Sequence, residues 1–262
     1  MSTLIPFVKA SACGNDFLIV HLRFAEWDLS SISRSLCDRH DGVGADGVEW
    51  LLQTEDADIA ARLFNADGSE AEISGNGTRC VAAYICSIRP ATEITIHTGA
   101  GVKKCVLQSK DENDFDFETA MGEPRVEQEM LLRLRGAGIR GIPVSLGNPH
   151  FVIPVEQIPE NWQAQAAEIQ ASGAFPAGVN VEYVVVRDDN DIEARFFERG
   201  AGETLSSGTG SCASAVAGIA SGGAQSPVRV HTPGGTQTVR WDDQVYLRGT
   251  ARLICRGEFW AR

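Results

Sequence analysis

The chain has 262 residues, 43% of them hydrophobic, enough for one large core or two smaller ones. Its net charge of −12 argues against a nucleic-acid partner, because phosphate binding needs a concentrated basic surface. No apolar run approaches the roughly 20 residues that cross a bilayer, so no membrane partner is expected. The opening residues Met1 to Leu18 lack a basic stretch followed by an apolar one, and no secretory signal is expected. Seven cysteines without paired spacing fit reduced thiols of a cytoplasmic protein better than a disulfide framework or a zinc site.

In chain order, the first marker is Gly14-Asn15, followed by Val48-Glu49-Trp50 and then Ile59 to Phe64, which reads as a strand. Ten residues beyond Phe64 stands Ser74-Gly75-Asn76-Gly77. Thr78 to Cys86 is apolar nearly all round, the pattern of a buried helix. Ile94 to His97 reads as another strand. Ser109 to Glu118, charged and turn-rich, is expected to be a junction between domains.

Beyond it the series starts again, offset by 133 residues. Gly147-Asn148 falls on Gly14-Asn15, and Val181-Glu182-Tyr183 falls on Val48-Glu49-Trp50. Asp191 to Phe197 matches Asp58 to Phe64 at five of seven positions. Ser207-Gly208-Thr209-Gly210 matches the first glycine motif, and Glu203 matches Glu70. Ser211 to Ala220 reads as a second buried helix, stopped by Ser221-Gly222-Gly223. Val228 to His231 reads as a strand, and with one extra residue Val230-His231-Thr232 falls on Ile96-His97-Thr98. The expectation is an α/β (α+β) chain of two pseudo-symmetric duplicated domains, each a curved mixed sheet wrapped around one central buried helix. Their bounds are placed at 1–115 and 116–252, with 253–262 packing back onto the first.

A glycine-rich turn that opens a helix offers free N–H groups and the positive end of the helix dipole. A single such site is most simply a tight turn with a cap. A symmetric pair fits a racemase, which removes an α-proton from one face of a planar intermediate and returns it to the other. Without a cofactor, the carbanion must be stabilised electrostatically and shielded from water. No pyridoxal phosphate or P-loop pattern is present, and the five histidines form no metal pair, so neither cofactor nor metal is expected. His150 stands apart because Gly147-Asn148-Pro149-His150 is the counterpart of Gly14-Asn15-Asp16-Phe17.

Six segments then become recognisable together. They are Lys9-Ala-Ser-Ala-Cys-Gly-Asn-Asp-Phe17, Asp38-Arg-His-Asp-Gly-Val-Gly-Ala-Asp46, Phe64-Asn-Ala-Asp-Gly-Ser-Glu70, Gly147-Asn-Pro-His150, Asn180-Val-Glu-Tyr183 and Glu198-Arg-Gly-Ala-Gly-Glu-Thr-Leu205. In that order, over nearly the whole chain, they resemble the signatures of the diaminopimelate epimerase family. The resemblance implies a two-domain epimerase fold, cofactor-free proton transfer, a homodimer, and a small diamino dicarboxylic acid whose LL and meso forms are interconverted. Carried over by position, it implies substrate contacts at Asn15, Asn65, Asn148, Asn180, Glu198 and Arg199, and carboxylate cradles at Gly75-Asn76 and Gly208-Thr209. It also implies that His150 and Glu198 tune the protonation of the two catalytic groups.

The chain departs from the family at the centre of the chemistry. The residue before each Gly-x-Gly is cysteine in the family and serine here, at Ser74 and Ser207. A thiol ionises near pKa ~8.5, within reach of a helix N-terminus, whereas a hydroxyl ionises far above it. The chain is therefore expected to bind substrate and to turn it over slowly or not at all. That fits either a thiol-stripped form of an epimerase or a natural departure: an amino-acid-binding protein, or an isomerase or dehydratase of the same fold. The proline racemase and hydroxyproline epimerase group differs, typically with histidine where this chain has Asn76. Neither serine sits in the Gly-x-Ser-x-Gly of a serine hydrolase.

Overall fold

The computed structural model describes residues 3–22, 27–134 and 138–261. The chain divides into two compact units: one runs to Thr119 and takes back the chain from Gly249, and the other is Ala120–Arg248. The sequence reading placed the bounds at 115/116 and 252/253.

The first unit contains β1 (Thr3–Ala12), β2 (Asn15–His21), α1 (Leu29–Cys37), β3 (Gly47–Leu52), β4 (Ile59–Asn65) and β5 (Glu70–Ala71). It continues with α2 (Gly75–Ile88), β6 (Glu93–Thr98), β7 (Gly101–Asp111) and β8 (Asp114–Gly122), whose last residues enter the second unit. The second unit holds β9 (Arg125–Val126), β10 (Met130–Arg133), β11 (Gly138–Ser145), β12 (Pro149–Pro154), α3 (Trp162–Ala171) and β13 (Asn180–Asp188). Then come β14 (Asp191–Glu198), β15 (Gly202–Thr204), α4 (Gly208–Ala220), β16 (Val228–Thr232), β17 (Gly235–Trp241) and β18 (Val245–Ala261), which ends in the first unit.

The two sheets share one wiring. β1 pairs antiparallel with β2, β2 runs parallel to β3, β3 antiparallel to β4, and β4 parallel to β6, which turns back into β7. In the second unit β11, β12, β13, β14, β16 and β17 repeat that sequence of pairings. The register repeats as well: Phe17 lies opposite Gly47 as His150 lies opposite Asn180, and Glu49 opposite Leu63 as Glu182 lies opposite Phe196. In the first unit β18 pairs with both β1 and β8 and closes the strands into a barrel.

The parallel-paired strands β2, β3, β12 and β13 bury both faces over most of their length, which is why they read as nearly continuous apolar runs. Side chains of one phase, such as Phe17, Ile19 and Leu63, pack on Val81, Ala82 and Ala83 of α2; the other phase, such as Leu18 and Trp50, packs on Leu29 and Leu36 of α1. The second unit repeats this with Phe196 on α4 and with Val181 and Tyr183 on Trp162 of α3. Fully burying one such side chain stabilises the fold by about 2 kcal/mol. The alanines on the central helices let the strands approach closely.

The stretch Ser109–Glu118, expected as the junction, lies in a β-hairpin of β7 and β8, and the chain passes to the second unit just beyond it, between Thr119 and Ala120. Phe115, Phe117 and Thr119 are buried while Asp114, Asp116 and Glu118 between them stay partly exposed. A period of two outweighs a charged composition, because only one face of a strand has to be apolar.

Two candidate half-sites at helix N-termini

Ser74 is the N-cap of α2 and Ser207 that of α4, both with extended backbone. Ser74 Oγ accepts from the Gly77 N–H at 3.1 Å, and Ser207 Oγ from the Gly210 N–H at 3.2 Å. Each hydroxyl thus satisfies one of the N–H groups that an α-helix leaves open at its start. Gly75-Asn76 and Gly208-Thr209 form the first turns that follow. Ser207 is buried and Ser74 half-buried.

An asparagine reaches each helix start from the preceding strand turn. Asn76 Nδ2 donates to Asn15 Oδ1 at 2.8 Å, and Asn148 Nδ2 donates to Thr209 Oγ1 at 3.3 Å. Both asparagines follow a glycine of positive φ, Gly14 at 82° and Gly147 at 96°, a conformation costly for any residue with a Cβ. Asn15 is held in turn by Asp46, whose Oδ2 accepts from Asn15 Nδ2 at 3.0 Å. Arg39 clamps Asp46 and Asp16 at 2.9 and 2.8 Å, and Lys9 adds a contact to Asp16 at 2.9 Å. Those bonds outweigh the desolvation of Asp16 and hold its carboxyl below the usual range.

The remaining expected residues divide between the units. Asn65 is exposed at the end of β4 and donates to Ser69 Oγ at 3.0 Å. Asn180 is buried: its Nδ2 donates to the Pro149 carbonyl at 3.2 Å and its Oδ1 accepts the Arg199 N–H at 2.9 Å. Glu198 and Arg199 are not paired with each other. Glu198 accepts from Thr204 Oγ1 at 2.7 Å, while Arg199 crosses Gly178 and donates to the Ala177 carbonyl at 2.5 Å.

His150 is buried with Nδ1 2.7 Å from Glu182 Oε1 and Nε2 3.1 Å from Asn148 Oδ1. A chain Glu182–His150–Asn148–Thr209 therefore runs to the start of α4. Burial raises the Glu182 carboxyl above its ordinary range, His150 opposes that rise and Glu198 adds to it. Its second oxygen has no hydrogen-bond partner among the described residues.

Two residues of the first half-site went unassigned in the sequence. Arg79, 1% exposed, donates to Asn76 Oδ1 and lies 3.7 Å from Cys13 Sγ. Glu49, 3% exposed, is the counterpart of Glu182. The signal was there for both glutamates: a lone acid in an apolar strand, at the phase that faces the central helix.

The two units share one duplicated plan, with a serine-capped helix start in each. Among solved structures the chain is similar to a phenazine biosynthesis protein of the PhzF family from Bacillus anthracis, with a TM-score of 0.72 at 17% identity over 98% of this chain and 99% of that one. A hydroxyproline epimerase from Agrobacterium vitis has the same TM-score and identity, over 98% of this chain and 92% of that one. At that identity the likeness concerns the fold. The sequence profile described as "Diaminopimelate epimerase" matches residues 7–127 and 142–254. A diaminopimelate epimerase from Pelotomaculum thermopropionicum is 38% identical over 97% of this chain and 98% of its own length. The chain belongs to the diaminopimelate epimerase family.

Proposed function

We propose that the chain binds 2,6-diaminopimelate and acts on its α-carbon, interconverting the LL and meso forms by moving a proton off one face and onto the other. The single observation that carries the reading is the repeated half-site: a hydroxyl cap, a glycine-opened helix and an asparagine bonded to its second residue, once in each half. Ser74 and Ser207 occupy the acid/base positions, and His150 and Glu198 tune them. Gly75-Asn76 and Gly208-Thr209 receive carboxylate oxygens, as helix starts do. Asn15, Asn65, Asn148, Asn180, Glu198 and Arg199 read the rest of a substrate with an amino acid at each end. Family membership supports a cofactor-free reaction, a homodimer and a cytoplasmic location.

Neither hydroxyl is acidic enough to exchange protons as a thiol does, so direct transfer through the serines is slow. The Ser74→Cys, Ser207→Cys double variant is expected to raise α-proton exchange of diaminopimelate in deuterated water ~10²-fold or more. If that variant neither exchanges the proton nor binds the ligand in calorimetry, the reading is wrong. Binding without exchange in both forms would favour an amino-acid-binding protein instead.

A further inference from the structure

The repeat places a glutamate on the helix-facing side of the strand in each half, and among the described residues Glu182 has a hydrogen-bond partner while Glu49 has none. Glu182 lies 2.7 Å from His150, whereas the position that corresponds to His150 in the first half is Phe17. Glu49 sits on β3 between Ile19 of β2 and Leu63 of β4, both packed on α2. It is 3% exposed, and no described residue forms a hydrogen bond or ion pair with it.

The position of its carboxyl is defined by Gly77. A Cβ added there would lie 2.0 Å from Glu49 Oε1 and 3.3 Å from Ser74 Cβ. The carboxyl therefore presses on the first turn of α2, beside the serine that stands in the catalytic position. In the second half the same point is taken by the Phe196 ring, 2.8 Å from a Cβ added to Gly210. Burial alone pushes Glu49 up to about 8, so the group exchanges its proton in the neutral range. On α2, Arg79 bonds Asn76 and lies against Cys13 while its Nε has no hydrogen-bond partner among the described residues, and the Cys80 thiol is pushed far up by its own burial. Neither holds the Glu49 proton.

We propose that Glu49 is the proton-transfer group of the first half, its carboxylate taking the α-proton of an amino acid bound at the start of α2, where the Ser74 hydroxyl cannot. The inference rests on the proposed reading of the site. The C–H bond breaks, the proton moves to Oε1, and the electron pair stays on the α-carbon and spreads into the substrate's own carboxylate. Return of a proton from the same carboxyl restores the amino acid. When the carboxyl first trades its proton with solvent, the product carries deuterium. No oxidant, reductant or co-reactant is needed.

The test follows deuterium entry at the α-carbon of diaminopimelate for the unaltered chain, for Glu49→Gln and for the Ser74→Cys, Ser207→Cys form, with binding measured by calorimetry. The unaltered chain should exchange slowly, with a rate that rises through one ionisation near 8. Glu49→Gln should lose ~10-fold or more of that rate and the ionisation, while it keeps its affinity. Infrared difference spectra, unaltered minus Glu49→Gln, should show a protonated carboxyl at neutral pH that shifts when diaminopimelate is added. Glu49→Asp is the second variant should the glutamine form not fold, and it should exchange at an intermediate rate. Exchange by Glu49→Gln at the unaltered rate overturns the proposal. So does exchange by the dithiol form with none by the unaltered chain, and that result leaves the epimerase reading standing. No exchange and no binding by any form overturns both.

Discussion

The two halves share a backbone plan and differ in how they bury one carboxyl. In the second, Glu182 lies against His150, and the histidine passes the contact on through Asn148 to Thr209 at the start of α4. In the first, Phe17 fills the histidine's place, Glu49 has no hydrogen-bond partner among the described residues, and Asn76 is bonded to Asn15 and Arg79. Duplication thus preserved which positions face the central helix. The polar groups at those positions diverged, because a strand register fixes direction without fixing chemistry. One half-site links its carboxyl to the helix start through a hydrogen-bonded chain, and the other buries its carboxyl against the helix without such a link.

The largest effect comes from making the second half resemble the first. His150→Phe leaves Glu182 fully buried without its partner and should cost about 3 kcal/mol or more in urea unfolding. The reverse change, Phe17→His, places an imidazole where it meets Glu49 and should draw that carboxyl down from about 8, read by its infrared titration.

Next is the pH dependence of stability, which has the same sign in both halves and separates them by partner: burial raises both carboxyls, and only Glu182 has a histidine opposing the rise. A carboxyl whose folded pKa is raised contributes stability that is complete below its unfolded pKa of about 4.3 and is lost as pH rises through the folded value. The unaltered chain should therefore lose a few kcal/mol between about pH 4.5 and 8, and Glu49→Gln should flatten that limb. An unchanged slope in the glutamine form would show that Glu49 is not the group responsible.

Smaller effects sharpen the contrast at the helix starts. Gly210→Ala drives a methyl into the Phe196 ring and Ser207 Cβ, which lie 2.8 and 2.9 Å from it, and should cost about 1–3 kcal/mol. Gly77→Ala meets the Glu49 carboxyl instead, so it should be relieved by adding Glu49→Ala, a rescue with no equivalent in the second half. Ser207→Ala removes a cap and should lower the stability by about 1 kcal/mol in thermal unfolding; Ser207→Gly should cost only a few tenths.

Much of the site was legible in the residues. The paired Ser-Gly-x-Gly motifs, the Gly-Asn turns and His150 all surfaced from the repeat, since a duplicated site writes itself twice. The bonds of Asn65 to Ser69 and of Arg199 to the Ala177 carbonyl were not legible, and nor was the separation of Glu198 from Arg199. Adjacent residues at a strand end point to opposite faces, so closeness in sequence is a poor guide to pairing. Arg79 was hidden for a different reason: a cation inside an apolar helix has meaning only once its acceptors, Asn76 and Cys13, are seen.

By itself the sequence determined the duplication, the alternation of strands with two apolar helices, and the caps that start those helices. These depend on local periodicity and on the few residues able to cap or turn a chain, so they survive without any knowledge of neighbours. Only the tertiary structure decided that Ser109–Glu118 is a barrel hairpin, that β18 closes the first barrel against β1 and β8, and that Glu49 stands beside Ser74 with no hydrogen-bond partner among the described residues. Each of those depends on which residues, far apart along the chain, come within a few ångströms. Packing sets that distance, and composition carries no record of it.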